Sequence, residues 1–147
     1  MSGFSSEDRA HMSRALELAT RGEYSAHPNP RVGCVIAQGA DVIAEGWHET
    51  AGEDHAEIRA LREAGDKARG ATVFVSLEPC AHHGRTPPCA AALIDAGVAR
   101  VVAAMRDPYE EVGGRGLAAL RDAGIQAEVG LLQDEAEALN AGFVSRV

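Results

Sequence analysis

Nowhere in its 147 residues does this chain hold an apolar run near the roughly 20 residues needed to cross a bilayer, so no membrane partner is expected. The opening stretch, Met1 to Ala10, is polar and mixed in charge, without the apolar centre of a secretory signal, and a cytoplasmic location is expected. Basic charge is scarce too: 14 Lys and Arg face 22 Asp and Glu, for a net charge of −8. Non-specific nucleic-acid binding needs clustered Lys and Arg, so no nucleic-acid partner is expected. One small phosphorylated substrate remains compatible, because a single Arg can hold it. Cysteine is limited to three residues. In a reducing compartment a cysteine pair more often marks metal or catalysis than a disulfide. There is neither a linker nor an internal repeat, so residues 1–147 read as one domain of ordinary size. Hydrophobic residues make up 46% of the chain, enough for a core.

What is present alternates between helical and strand patterns. Ser5 and Asp8 form a capping-box pattern with Asp in place of Glu. Met12, Ala15, Leu16 and Ala19 recur at helical spacing, which predicts a helix over Ser6 to Arg21 with His11 on its exposed surface. The prolines of His27-Pro28-Asn29-Pro30 hold that segment out of helix. Val32–Ala37 and Val42–Trp47, joined through Gln38 to Asp41, predict a hairpin. A helix is predicted over His55–Ala68, a strand over Thr72–Leu77, and a helix from Pro87 through Ala96. A strand over Arg100–Met105, a helix over Leu117–Ala123, a strand over Ile125–Val129 and a helix over Gln133–Phe143 follow. A hairpin followed by strand–helix alternation implies an α/β fold, a mixed sheet with helices on both faces. Thr72–Leu77 and Arg100–Met105 are expected as parallel neighbours.

Two segments carry the chemistry. One is His55-Ala56-Glu57, opening a helix; the other runs from Pro79-Cys80 to Pro88-Cys89, from a strand end to a helix start. A catalytic zinc takes three protein ligands, commonly His and Cys, and keeps a fourth position for water. His55, Cys80 and Cys89 offer three such ligands. Zinc lowers the pKa of bound water from about 15.7 towards 7, and Glu57 can then carry a proton from that water to a departing amine. Residues i and i+2 face different ways on a helix. His55 and Glu57 can therefore share one water only if His55 stands where the chain is still entering the helix. Cys89 falls in the first turn of the next helix, whose partial positive charge favours thiolate. The zinc nucleobase deaminases carry H-x-E with P-C-x-x-C. The first half is matched here, while the second has eight residues between the cysteines instead of two.

That longer loop is itself the specific feature of a resemblance. His27-Pro28-Asn29-Pro30, Gly33-Cys34-Val35-Ile36, His55-Ala56-Glu57 and Leu77-Glu78-Pro79-Cys80, with His82-His83-Gly84-Arg85-Thr86-Pro87-Pro88-Cys89, resemble the RibD deaminase domain of riboflavin biosynthesis. The likeness covers nearly the whole chain, as far as Asn140-Ala141-Gly142-Phe143. It implies the cytidine-deaminase-like fold, a three-layer α/β/α sandwich with a mixed five-stranded sheet. It implies hydrolysis of 2,5-diamino-6-(5-phosphoribosylamino)pyrimidin-4(3H)-one to 5-amino-6-(5-phosphoribosylamino)uracil and ammonia. It also implies zinc on His55, Cys80 and Cys89 and proton shuttling by Glu57. Asn29 and His48 are implied against the pyrimidine ring, and His82, Arg85 and Asp107 near the sugar phosphate, where a cationic Arg suits the anion. A homo-oligomer is expected. In family members a reductase domain using NADPH follows; no Gly-rich dinucleotide motif occurs here, so no reductase activity is expected of these residues. The chain departs from the family at Asp107-Pro108-Tyr109-Glu110, where Asp-Pro-Asn-Pro is usual, and at Asp54 and Ala81.

Blander assignments exist for each residue. A structural zinc site, closed by His82 or His83 as a fourth ligand, is the alternative for the metal set. Cys34, within an apolar strand, reads as a small core residue. His83 is open between loop scaffold and site. His48 at a strand end, Asn29 between prolines, and the loop charges Arg85 and Asp107 draw their roles from the resemblance alone. Two other functions compete: a zinc deaminase of a different nucleobase or nucleoside, and a catalytically silent zinc-stabilised binding module.

Overall fold

The computed structural model describes residues 4–21, 32–47, 55–79, 89–106 and 114–139. Helix α1 spans Ser6–Ala19. Its cap is the predicted box: Asp8 N donates to Ser5 Oγ at 3.0 Å and Ser5 N donates to Asp8 Oδ2 at 3.1 Å. Strands β1 (Gly33–Gln38) and β2 (Asp41–Trp47) form the expected hairpin. Helix α2 (Ala56–Ala64) passes into a 3₁₀ turn at Gly65–Ala68. Then come β3 (Thr72–Val75), α3 (Cys89–Ala96), β4 (Arg100–Ala103), α4 (Arg115–Asp122), β5 (Gln126–Val129) and α5 (Gln133–Leu139).

The sheet order is β2-β1-β3-β4-β5. β1 is antiparallel to β2 and β3, whereas β3, β4 and β5 run parallel. Successive side chains on a strand point to opposite faces, and the core divides accordingly. Cys34, Ile36, Val73, Val75, Val101 and Ala103 pack with residues of α2, α3 and α4. Val35, Ala37, Phe74 and Val102 pack with residues of α1 and α5. The result is the expected three-layer sandwich. Each large apolar side chain so buried contributes about 1.5–3 kcal/mol, against about 1 kcal/mol for a helix cap. The two apolar layers therefore dominate over the caps in holding the helices to the sheet.

Two glycines let helices ride directly on strands. A Cβ at Gly33 would lie 1.9 Å from the Ala15 carbonyl oxygen of α1, and one at Gly46 would lie 2.4 Å from the Ala56 carbonyl oxygen of α2. The expectation for His11 is corrected: it is buried at 6% exposure, with Nε2 2.8 Å from the Gly39 carbonyl oxygen in the hairpin turn and its ring 5.1 Å from that of Phe74. The predicted single helix over His55–Ala68 is also corrected, since Gly65 at φ 56° turns the backbone out of the α-helix. Among the described residues no helix is long and apolar enough to cross a membrane.

Candidate active site

Strand directions decide where chemistry can gather. β3 and β4 end at Val75 and Ala103, and their exits continue side by side: Ala104 N donates to Val75 O, and Glu78 N donates to Met105 O, both at 3.0 Å. β1 begins at the same rim, where Ser76 N donates to Gly33 O and Gly33 N donates to Ser76 Oγ, both at 3.0 Å. β2 ends there as well, since Trp47 pairs with Gly33. One rim thus receives the start of β1 and the ends of β2, β3 and β4, the usual place for ligands in open α/β sheets.

The described motif residues stand at this rim. His55 is the cap of α2 with an extended backbone, φ −67° and ψ 161°, and makes no side-chain capping bond. This is the position required of it if it is to share a target with Glu57. Its Nδ1 lies 3.2 Å from Sγ of Cys89, the first residue of α3, and Cys89 is fully buried. Two helix N-termini therefore converge, one bringing an imidazole and the other a thiol. Glu57 sits in the first turn of α2 at 4% exposure, where the helix dipole favours a carboxylate. Below it, Cys34 is wholly buried. Burial pushes the Cys34 thiol well up from its ordinary pKa, and the Glu57 charge pushes it further. Cys34 is accordingly a neutral core thiol, as its strand context suggested.

The donor pair suits zinc. A nitrogen at about 2.1 Å and a sulfur at about 2.3 Å from one tetrahedral ion stand roughly 3.6 Å apart, near the 3.2 Å found. Among the described residues no group of three His, Cys, Asp or Glu forms a complete metal set. The expected third ligand, Cys80, lies outside the described residues. So do Asn29, His48, His82, Arg85 and Asp107. What the structure does place is Trp47, the residue before His48 in sequence. Arg59 of α2, two residues beyond Glu57, donates from Nη1 to the Trp47 carbonyl oxygen at 3.1 Å, tying the residue before His48 to the helix of Glu57.

Sequence reasoning passed over Glu78. It is 4% exposed, and its carboxylate accepts from Gly114 N at 2.8 Å and Leu117 N at 3.1 Å at the start of α4. Gly116, also passed over, presses on the same spot: a Cβ there would lie 1.8 Å from the Pro79 carbonyl oxygen. Its one sequence signal was the place of Glu78 within Leu77-Glu78-Pro79-Cys80.

Comparison with known proteins agrees with this geometry. Residues 5–105 match the cytidine and deoxycytidylate deaminase zinc-binding region. The riboflavin biosynthesis protein RibD of Escherichia coli is 59% identical over 141 residues, 96% of this chain and 38% of that protein. The diaminohydroxyphosphoribosylamino-pyrimidine deaminase of Buchnera aphidicola from Schizaphis graminum is 46% identical over 141 residues, 96% of each chain. The solved structure of Acinetobacter baumannii RibD superposes with a TM-score of 0.92 at 53% identity, covering 95% of this chain and 39% of that one. The chain thus spans about two fifths of the length of the RibD proteins it matches.

Proposed function

The chain belongs to the zinc-binding cytidine and deoxycytidylate deaminase family, and on that premise we propose that it hydrolyses 2,5-diamino-6-(5-phosphoribosylamino)pyrimidin-4(3H)-one to 5-amino-6-(5-phosphoribosylamino)uracil and ammonia. The observation that carries this reading is the meeting of His55 and Cys89 at 3.2 Å, with Glu57 buried in the first turn of the helix that His55 caps. The name of the Buchnera relative, whose whole length this chain nearly covers, supports the choice of substrate.

In this proposal His55 and Cys89, with Cys80, hold zinc. When bound, zinc lowers the pKa of water from about 15.7 towards 7 and so supplies a nucleophile at neutral pH. Glu57 does the proton work. Its carboxylate takes one proton from the attacking water and delivers it to the leaving nitrogen. The ring carbon gains a bond to oxygen and loses its bond to nitrogen. The water's second proton ends on the neighbouring ring nitrogen, and the amine departs as neutral ammonia. Burial of Glu57 excludes bulk water that would otherwise compete for that proton. Asn29 and His48 hold the pyrimidine edge, and His82, Arg85 and Asp107 the sugar phosphate. The domain works as a homo-oligomer in the cytoplasm and, within a longer chain, beside a reductase.

The test is ammonia release from the diaminopyrimidine phosphate compared with cytidine, guanine and their nucleotides, with metal content measured on the same sample. One zinc per chain and release from the diaminopyrimidine alone are expected. Preferential release from cytidine or guanine would overturn the substrate, and a fully active metal-free protein would overturn the chemistry.

A further inference from the structure

Glu78 makes contacts on both sides of one segment. Its main-chain N–H donates to the Met105 carbonyl oxygen at 3.0 Å, just before residues 106–113. Its carboxylate accepts from Gly114 N at 2.8 Å and Leu117 N at 3.1 Å, just after them. A single buried residue therefore clasps both ends of the stretch that carries Asp107. Helix α4 has no cap of its own, because Gly114 offers no side chain and stands at φ 88°. The Glu78 carboxylate takes that place from a different part of the chain.

Glu78 also belongs to the chain leading into Cys80. The close seat of Gly116 on the Pro79 carbonyl limits where that carbonyl can point. A non-prolyl peptide unit is planar and trans, so the direction of the Pro79 carbonyl governs where residue 80 begins.

We propose that Glu78 is a positioning residue that couples the metal-ligand loop to the substrate loop, by clasping Met105, Gly114 and Leu117 while its own chain leads into Cys80. This rests on the proposed deaminase reading, in which Cys80 holds zinc and Asp107 serves the sugar phosphate. Glu78→Gln keeps the size of the side chain but turns an N–H₂ group towards one of the two backbone donors. The anchor at the start of α4 is then weakened, while the main-chain bond to Met105 stays.

The test uses the full chain loaded with zinc. Glu78→Gln is expected to release zinc to a competing chelator several-fold faster than wild type. KM for the phosphorylated pyrimidine should rise several-fold while kcat falls less. Arg100→Ala, at the opposite end of the strands, serves as a control that lowers stability without moving either quantity. If Glu78→Gln lowers only the melting temperature, as Arg100→Ala does, the coupling is wrong and the deaminase reading stands. If wild type binds no zinc and releases no ammonia, both fall together.

Should Glu78→Gln fail to fold, the wild-type protein still decides. Coupling is reciprocal, so stripping zinc should speed hydrogen exchange at the Gly114 and Leu117 amides more than at the amides of β5. Equal acceleration at both places would overturn the inference.

Discussion

His55 and Cys89 stand 34 residues apart in sequence, yet Nδ1 of one lies 3.2 Å from Sγ of the other. Each is delivered by the N-terminal end of a helix, α2 or α3, that packs on the sheet through small residues. Ala56 and Ala60 from α2 and Ala90 from α3 all belong to one buried cluster. Short side chains bring these helices close to the strands and to each other. The meeting of imidazole and sulfur is thus a consequence of core packing, and metal retention should depend on both.

Cys89→Ala is expected to lose zinc and stability together. A metal that binds only the folded chain stabilises it by about 2.7 kcal/mol when present at a hundred times its dissociation constant, and metal binding couples to folding. Thermal melts with and without added zinc read this directly. The wild-type midpoint should rise with zinc and that of Cys89→Ala should not. An equal rise in both would remove Cys89 from the ligand set.

Glu57→Ala and Glu57→Gln are expected to keep zinc and the fold while losing deamination by about 10²–10⁴-fold, the usual contribution of a positioned proton carrier. Metal analysis and ammonia release on the same preparations separate the two properties. Turnover by either variant at the wild-type rate would leave Glu57 as a buried first-turn acid with no part in proton transfer.

Much of the scaffold was legible because it is local. The Ser5–Asp8 box, the hairpin and the strand–helix alternation all follow from neighbours in sequence, and each is found. Sharing one water with Glu57 requires His55 at the very start of its helix, and His55 is found as the cap of α2. What escaped was long-range polar pairing. His11 sits four and seven residues before Ala15 and Leu18, on the buried stripe of α1, but its polarity argued for the surface. Its partner, the Gly39 carbonyl oxygen, is 28 residues away. Glu78 escaped in the same way, since its amide donors at 114 and 117 reach it only through the fold. Gly65 was hidden because a helical pattern of alanines continues across it.

Acid stability should depend on a pair remote from the site. Arg100 donates from Nη1 and Nη2 to the two carboxylate oxygens of Asp8, each at 3.1 Å, and from Nε to Glu128 at 2.6 Å. Burial works to raise the Asp8 pKa, but the Arg100 and Ser5 hydrogen bonds and the Arg100 charge outweigh it, so the carboxyl titrates below its ordinary value of 3.8. A depressed carboxyl contributes stability that is fully present above its unfolded pKa and is lost as pH falls through the folded one. Asp8→Asn should therefore cost about 1.5–3 kcal/mol at pH 7, the range for hydrogen bonds to charged groups. That difference should shrink as pH drops below about 4. Melts of both proteins across this range check it, and a gap that stays constant into acid would show that the charge on Asp8 does not contribute.

Gly46→Ala should harm the site more than its size suggests. The added methyl would meet the Ala56 carbonyl oxygen at 2.4 Å and Ala60 N at 2.8 Å, both backbone atoms that cannot swing aside. Helix α2 must then shift on β2, and with it go His55 at its cap and Glu57 in its first turn. Displacement of reacting groups by about 1 Å can cost 10²-fold in rate. Gly39→Ala provides the contrast. Gly39 has φ 59° with open space around it, so an alanine there brings backbone strain of about 1–2 kcal/mol and no displacement of α2. Kinetics and melts of both variants should show Gly46→Ala losing kcat well beyond its loss of stability, and Gly39→Ala losing stability alone. Equal rates per folded molecule in the two would mean that the close seat of α2 on β2 does not set the position of Glu57.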